Sequence, residues 1–498
     1  MKNIFSKTIL GASLVVALNS CSKFGDKYLN NPNPQVNTVA NTSQLLTNLL
    51  YKSCGRGNAG AVNGDLITLG AKEPALFVQY IAEAIYPSEG LYASTSGEWA
   101  TFYSGPLMDL AFIINYNTDA DLKSVAAANG SNNNQIATAR IWRAYLMSIL
   151  TDRWGNVPYS QANKVGLVNP AYDNQKDIYT DLFKELREAV DQFDNGAAFK
   201  GDILFNGDQT KWKKFANSLR MVLAMRLSKI DAVTGKAEYL SASTHAAGYI
   251  TTNADNAVFA YQDNLNYRNP WNNQAVESNA FGVSDFFVNL LKSYNDPRLN
   301  VFATQSTTGN YKGVPYGLNA GNLATALASA GPYSKMGTTF TARNSPGYFI
   351  TAAQVLLTRA EAGLRGWVTT TNIKADYDAA VTASLALNGI SATAATTYLA
   401  TTNVLLNPTN VSDGLNKVAM QKYIALYPNG VEAFAEWRRT GIPALTPAVD
   451  ALNASKQIPR RWGYPTTEAT LNTAAYLAGI ASMGGDNSID RRVYWDKQ

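Results

Sequence analysis

Histidine and cysteine are almost absent from this 498-residue chain, in which His245 is the only histidine and Cys21 and Cys54 are the only cysteines. This scarcity leaves little support for histidine-based nucleophilic catalysis and excludes metal sites built from several histidines. Glycoside hydrolysis by two carboxylates stays formally open, but nothing in the sequence pairs particular carboxylates. We therefore predict no catalytic residues, no metal and no cofactor.

The chain also lacks long runs of like charge. Its 42 basic and 37 acidic residues give a net charge of +5 without a basic block, so nothing indicates binding to nucleic acid. Neutral polar and aromatic residues are abundant instead, including 27 tyrosines and 9 tryptophans. A surface of this kind suits neutral, hydroxyl-rich ligands.

No apolar stretch is long enough to span a membrane, since the one from Ile9 to Leu18 is about half the length a spanning helix needs. With Lys2 and Lys7 it predicts a signal peptide over residues 1–20. Leu18 and Ser20 before Cys21 resemble a bacterial lipobox, so lipidation is predicted at Cys21. The alternative is an ordinary secretory signal with an incidental cysteine. A tether is predicted over 21–41 and the folded domain over 42–498.

Apolar residues at three- and four-residue steps predict a mainly helical protein. The predicted helices lie at 98–115, 135–153, 175–193, 211–230, 351–366 and 373–389. The last two, with small residues where they would touch, resemble a tetratricopeptide hairpin. The expected fold class is all-α, a scaffold of tetratricopeptide-like hairpins. A loop-rich insertion with one short helix near 284–294 is expected over about 251–345, where long loops indicate ligand binding.

An ordered series of short motifs resembles the SusD/RagB family of outer-membrane lipoproteins, in particular its starch-binding-associated SusD-like branch. The motifs span nearly the whole mature chain and include Thr151–Tyr159, Asp296–Leu299, Glu432–Gly441 and Tyr494–Asp496. The resemblance implies helical hairpins under an irregular ligand-binding region, and a non-enzymatic role. It also implies a lipid-anchored protein on the surface of a Gram-negative bacterium that captures glycans, or in some branches peptides. The implied partner is a SusC-like TonB-dependent transporter, on which the protein acts as a lid.

Two aromatic clusters are candidates for ligand contact, because sugar rings stack on aromatic faces and their hydroxyls bond to amides. The first contains Tyr92, Glu98, Trp99 and Tyr103, and the second contains Tyr261, Asn264, Tyr267, Arg268, Asn269, Trp271 and Asn272. The four-residue spacing of Trp99 and Tyr103 fits the buried face of a helix equally well. The 267–272 loop is the cluster expected to be exposed.

Other motifs favour structural roles. We expect Trp154 and Tyr159 to pack in the core, and Glu436 and Arg439 to form an internal salt bridge. Asp202, Asn206 and Asp208 could bind calcium, but an Asx-rich turn is the commoner use of such a cluster. The functional alternatives to glycan capture are peptide capture by the same transporter type, a surface glycosidase and a purely structural surface component.

Overall fold

Helices dominate the structure, a computed structural model that describes residues 40–55, 71–93, 99–164, 166–277, 279–369 and 372–497. The signal peptide, Cys21, Glu98 and all but the last residues of the tether lie outside these ranges. In chain order the α-helices are α1 Thr42–Cys54, α2 Lys72–Phe77, α3 Trp99–Ser104, α4 Pro106–Thr118, α5 Lys123–Ala126, α6 Asn132–Trp154, α7 Gln175–Gln192, α8 Gln209–Arg226, α9 Ala232–Ser243, α10 Asp285–Ser293, α11 Leu299–Phe302, α12 Ala320–Ala330, α13 Thr338–Thr341, α14 Ala352–Leu364, α15 Ile373–Leu387, α16 Ala392–Leu399, α17 Val411–Ala425, α18 Gly430–Thr440, α19 Thr466–Leu471 and α20 Thr473–Ser482.

In the described part of the chain, six short strands form three separate two-stranded antiparallel sheets. The strands are β1 Ile81–Glu83, β2 Val157–Pro158, β3 Tyr172–Asp173, β4 Val258–Phe259, β5 Phe281–Val283 and β6 Gly347–Tyr348. β1 pairs with β5 so that Glu83 lies opposite Phe281, β2 pairs with β3, and β4 pairs with β6. These sheets fasten loops to the helical body and do not form a layer of their own.

Consecutive helices pack in pairs, as the periodicity predicts. α6 packs on α7, α8 on α9, and α14 on α15, and α17 packs against both α14 and α18. Side chains fix where several of these helices begin: Asp208 accepts a hydrogen bond from the backbone of Lys211, and Thr351 accepts one from that of Gln354. The all-α, tetratricopeptide-like fold class is thereby confirmed.

Two details of the predicted elements are wrong. The single helix expected over 98–115 is divided at Gly105, because Pro106 lacks an N–H group and begins a new helix as its first residue. The 251–345 region, expected to hold one short helix, also contains α12, which Asn319 caps by accepting a hydrogen bond from Asn322.

A buried network of ion pairs joins the helices near the centre of the molecule. Arg439 on α18 binds both carboxylate oxygens of Glu361 at 2.6 and 2.7 Å and reaches Glu436 at 2.6 Å. Burial alone would raise the pKa of Glu436, but the charges of Arg439 and Lys422 outweigh it and hold this pKa at about 2. The expectation that Glu436 and Arg439 serve structure is confirmed.

The expected structural roles of Trp154, Tyr159 and Asp202 are also confirmed. Trp154 is fully buried and Tyr159 is 6 % exposed. Asp202 uses one carboxylate oxygen to accept hydrogen bonds from the backbones of Leu204 and Phe205, and the other to accept from Gly207 and the Trp212 indole. Both oxygens therefore serve an Asx-type turn. Among the described residues, no group of three or more histidine, cysteine, aspartate or glutamate side chains is placed to hold a metal ion.

Candidate functional site

The aromatic residues of the first predicted cluster lie in the protein core or pack against it. Trp99 is 5 % exposed, its ring centre lies 5.3 Å from that of Trp154, and its indole N–H donates to Glu468 at 3.2 Å. Tyr103 is half-buried and donates its hydroxyl to the carbonyl of Pro158 at 2.8 Å. Ligand contact by these rings stays an untested prediction, and stacking on a sugar would require Trp99 to leave the core.

Tyr92 is buried as well, with a left-handed backbone at φ 65°. Its hydroxyl oxygen accepts a hydrogen bond from the backbone of Ala448 at 3.0 Å and lies 3.3 Å from the hydroxyl of Tyr316. Burial raises the pKa of Tyr92. The ring therefore fastens the segment after β1 to a distant part of the chain.

In the second cluster the expectation of exposure is wrong for every residue of 267–272 except Tyr267. Arg268 is fully buried and donates to Asn272 at 3.1 Å. Asn269 and Asn272 donate to the carbonyls of Ser345 and Thr341, at 2.9 and 2.7 Å. These partners lie about 70 residues further along the chain, so the loop is pinned between elements that sequence spacing does not relate.

Tyr261 is buried too, and its hydroxyl donates to the carbonyl of Cys54 at 2.6 Å. Burial raises the pKa of this hydroxyl well above its usual value. Tyr261 therefore anchors the start of the loop to the end of α1, while Tyr267, 46 % exposed, remains available at the surface.

Tyr267 lines an open groove with a volume of about 440 Å³, which we call the Tyr267 groove. Its walls are formed by Gln44, Thr47, Asn48, Tyr51, Ile203, Phe259, Ala260, Gln262 and Tyr267. Four of these residues come from α1 at positions 44, 47, 48 and 51, which is the spacing of one helix face. This spacing is the signal that could have located the groove from sequence. The four α1 residues belong to neither of the two predicted clusters.

Three aromatic rings, together with Ile203 and Ala260, form the apolar part of the groove. The Tyr51 ring lies edge-on to that of Tyr267 at 5.1 Å and tilted against that of Phe259 at 6.0 Å. The Tyr51 hydroxyl donates to the carbonyl of Asn266 at 2.6 Å, and this hydrogen bond holds the Tyr51 ring in place. The three rings form a preformed aromatic wall along the groove.

Amide groups supply the polar part. Asn264 accepts hydrogen bonds from the backbones of Asn266 and Tyr267, both at 3.0 Å, and donates to the side-chain oxygen of Gln262 at 2.9 Å. This small turn positions Tyr267 and Gln262 together. Across the groove, Asn48 donates to Asp109 at 3.0 Å, and burial raises the pKa of that carboxyl.

The nine residues that line the Tyr267 groove among the described ones include no carboxylate, no cation and no histidine. The part of the lining that the structure describes therefore holds neither the paired carboxylates of a glycosidase nor the charges that would favour a charged peptide. Its volume falls in the usual range for ligand sites, and its chemistry is aromatic and amide.

The described residues define an all-α protein of the helical-hairpin class that carries an open, neutral groove. Residues 33–465 match a SusD-like family model, whose description is starch-binding associating with outer membrane. The chain belongs to this SusD-like family. Among the described residues, no helix combines the length and apolar character that a membrane crossing requires.

Solved structures share the fold over almost the whole chain. A chitin-binding protein is 27 % identical with a TM-score of 0.76, and the match covers 92 % of this chain and 100 % of that one. A chitin-binding SusD homologue from Flavobacterium johnsoniae is 23 % identical, with a TM-score of 0.73 over 92 % and 97 %. A SusD homologue from Bacteroides uniformis is 23 % identical, with a TM-score of 0.75 over 92 % and 99 %. A search of curated proteins found no match to this sequence.

Proposed function

We propose that this chain is a non-enzymatic, lipid-anchored protein of the outer membrane that captures an oligosaccharide at the cell surface. The observation that carries the proposal is the Tyr267 groove, where the exposed Tyr267 stands edge-on to Tyr51 beside the amide of Gln262. The flat C–H face of a pyranose packs on an aromatic ring, and its hydroxyls pair with amides. The relative that is 27 % identical binds chitin, a neutral glycan, which agrees with this chemistry.

Capture would precede import. In this proposal Cys21 carries the lipid anchor, and the protein passes its ligand to a SusC-like TonB-dependent transporter, over which it closes as a lid. A groove with only a few stacking rings favours weak binding, because each ring contributes only about 0.5–1.5 kcal/mol beyond its area burial. Weak binding suits a protein that must release its ligand to a partner.

Isothermal titration of the chain without residues 1–21 tests the binding step. The ligands are malto-oligosaccharides, chito-oligosaccharides and neutral peptides, and each mixture is analysed for products afterwards. We expect saturable binding of an intact oligosaccharide, weakened roughly two- to ten-fold by Tyr267→Ala through loss of the stacking contribution. Tyr267→Phe keeps the ring and should bind nearly as well as wild type.

Tyr86→Ala is the matched control, because Tyr86 is 72 % exposed and does not line the groove. Cleaved products would replace the capture model by a hydrolase, and binding of peptides alone would change the ligand class.

A second experiment tests the anchor and the partner. Cys21→Ala should abolish outer-membrane fractionation of the full chain. Wild-type protein solubilised from that membrane should co-purify with a TonB-dependent transporter.

A further inference from the structure

Phe112 and Tyr116 form a partly exposed aromatic pair on α4 that belongs to neither of the two predicted clusters. Phe112 is 37 % exposed, and Tyr116 is half-buried. Their ring centres lie 6.0 Å apart, and their planes differ by only 13°. The two residues are four positions apart, which places them one above the other on a single face of the helix. We call this pair the Phe112 platform.

α4 packs directly against α1, the helix that supplies four residues of the Tyr267 groove. Two sets of hydrogen bonds fix how these helices pass each other. Asn48, which lines the groove, donates to Asp109 at 3.0 Å. Nearer the start of α1, Thr42 and Asn117 both donate to the side-chain oxygen of Gln135, at 2.6 and 3.1 Å. Residue numbers therefore fall along α1 as they rise along α4, so the two helices are antiparallel.

This antiparallel packing brings the Phe112 platform beside the Tyr267 groove. Asp109, Phe112 and Tyr116 are spaced by three and four residues, so they share one flank of α4. At about 1.5 Å per residue, Phe112 and Tyr116 lie roughly 4.5 and 10.5 Å beyond Asp109, level with the part of α1 that precedes Asn48. Gln44, one turn before Asn48, is exposed and lines the groove there. The outer edge of α1 therefore lies between the groove and the platform.

The platform has the same chemistry as the groove. Its rings can stack on the C–H face of a pyranose, and the exposed amide of Gln44 can bond to sugar hydroxyls on the way. Packed helices lie about 8–10 Å apart, so a single sugar ring held in the groove does not reach across α1 to the platform. A ligand that contacts both surfaces must be a chain of several sugars.

We propose that the Phe112 platform is a second contact site for the captured glycan, reached only by oligosaccharides long enough to cross α1 from the Tyr267 groove. The groove holds one part of the chain, Gln44 bonds to hydroxyls in the middle, and Phe112 and Tyr116 stack on the sugars beyond. This inference rests on the proposed glycan capture and deepens it, because it makes chain length a determinant of affinity. Disaccharides would occupy the groove alone.

Calorimetric titration of the chain without residues 1–21 tests the platform, with disaccharides and hexasaccharides of the malto and chito series as ligands. We expect wild type to bind a hexasaccharide at least five-fold more tightly than the disaccharide of the same series, since each added stacking ring is worth roughly two- to ten-fold. The double variant Phe112→Ala/Tyr116→Ala should lose this gain and keep wild-type affinity for the disaccharide, whereas Tyr267→Ala should weaken both ligands.

Two further variants separate ring stacking from other effects. Phe112→Leu keeps an apolar side chain on the helix but no flat ring, so it should weaken the hexasaccharide alone, by roughly two- to ten-fold. Tyr86→Ala is the matched control for loss of an exposed aromatic ring, because Tyr86 is 72 % exposed and lies on neither α1 nor α4. It should keep the full gain. Circular dichroism of each variant before titration checks that its helices are intact.

The outcomes separate the platform from glycan capture itself. If the two ligand lengths bind equally well, or if the gain survives the double variant, the platform is overturned and capture in the groove stands. A double variant that weakens the disaccharide as much as the hexasaccharide would also overturn the platform as a site for long ligands only. If no saccharide of either length binds, glycan capture and the platform fail together.

Discussion

Replacing Glu83 by glutamine should make the protein more stable at pH 8 than wild type, with a much smaller gain at pH 5. Glu83 is 6 % exposed and accepts a hydrogen bond from the backbone of Gly90 at 2.9 Å. Burial, together with the nearby charge of Glu89, raises its pKa from 4.5 to about 7, although the Gly90 hydrogen bond and Lys72 oppose the shift. The folded protein therefore holds this carboxyl in its protonated form more firmly than the unfolded chain does.

The size and direction of the stability change follow from the difference between the pKa of Glu83 in the folded protein and in the unfolded chain. Each pKa unit is worth about 1.4 kcal/mol, so the whole shift corresponds to roughly 3 kcal/mol. A raised folded pKa contributes stability that is complete below the unfolded value of 4.5 and is lost as the pH rises through about 7. Between pH 5 and pH 8 wild type should lose roughly 2–3 kcal/mol from this one group. Glu83→Gln, which cannot ionise, should not lose it.

Urea unfolding followed by tryptophan fluorescence from pH 5 to pH 8 measures the effect as a difference between variant and wild type, so that other titrating groups cancel. Asp121→Asn removes an exposed carboxylate and serves as the control. In the Glu89→Gln variant, which keeps Glu83, the pH at which stability is lost should be lower than in wild type, because Glu89 raises the pKa of Glu83. A difference that stays constant across this pH range would refute the reasoning.

Three further predictions concern residues whose roles the structure distinguishes. Arg439→Met should lower the free energy of unfolding by about 3–5 kcal/mol, since it leaves buried carboxylates without their partner, whereas Arg187→Met removes a half-exposed pair and should cost less than about 1 kcal/mol in the same urea titration. Trp99→Ala should cost about 3–5 kcal/mol as a core truncation, and calorimetric titration of the folded variant should show unchanged glycan affinity. Asp202→Ala should cost about 1–3 kcal/mol by leaving buried donors unpaired, and millimolar calcium should not raise the melting temperature of wild type.

The helical scaffold could be predicted from sequence because its signal is local. α6, α7 and α8 repeat apolar residues at helical steps, and all three lie within a few residues of their expected bounds. The break at Pro106 was also local and could have been predicted from Gly105-Pro106 alone. α12 carries few large apolar residues, which is why periodicity does not reveal it.

The candidate site was far less predictable, because its accessibility depends on distant partners. Asn269 and Asn272 have the composition of a sugar-binding loop, yet the carbonyls that bury them come from Ser345 and Thr341. Only Tyr267 combines the expected composition with exposure. Tyr51, its partner across the groove, lies more than 200 residues earlier and belongs to a helix that sequence analysis did not single out.

The use of aromatic residues in this fold limits how it can hold a sugar. All nine tryptophans lie in the described residues, and none is more than 8 % exposed. The aromatic residues that suggested a sugar-binding surface therefore lie largely in the core, where rings such as those of Trp142 and Trp154 pack between helices. Stacking at the surface falls to tyrosines such as Tyr267, whose smaller rings give less contact area.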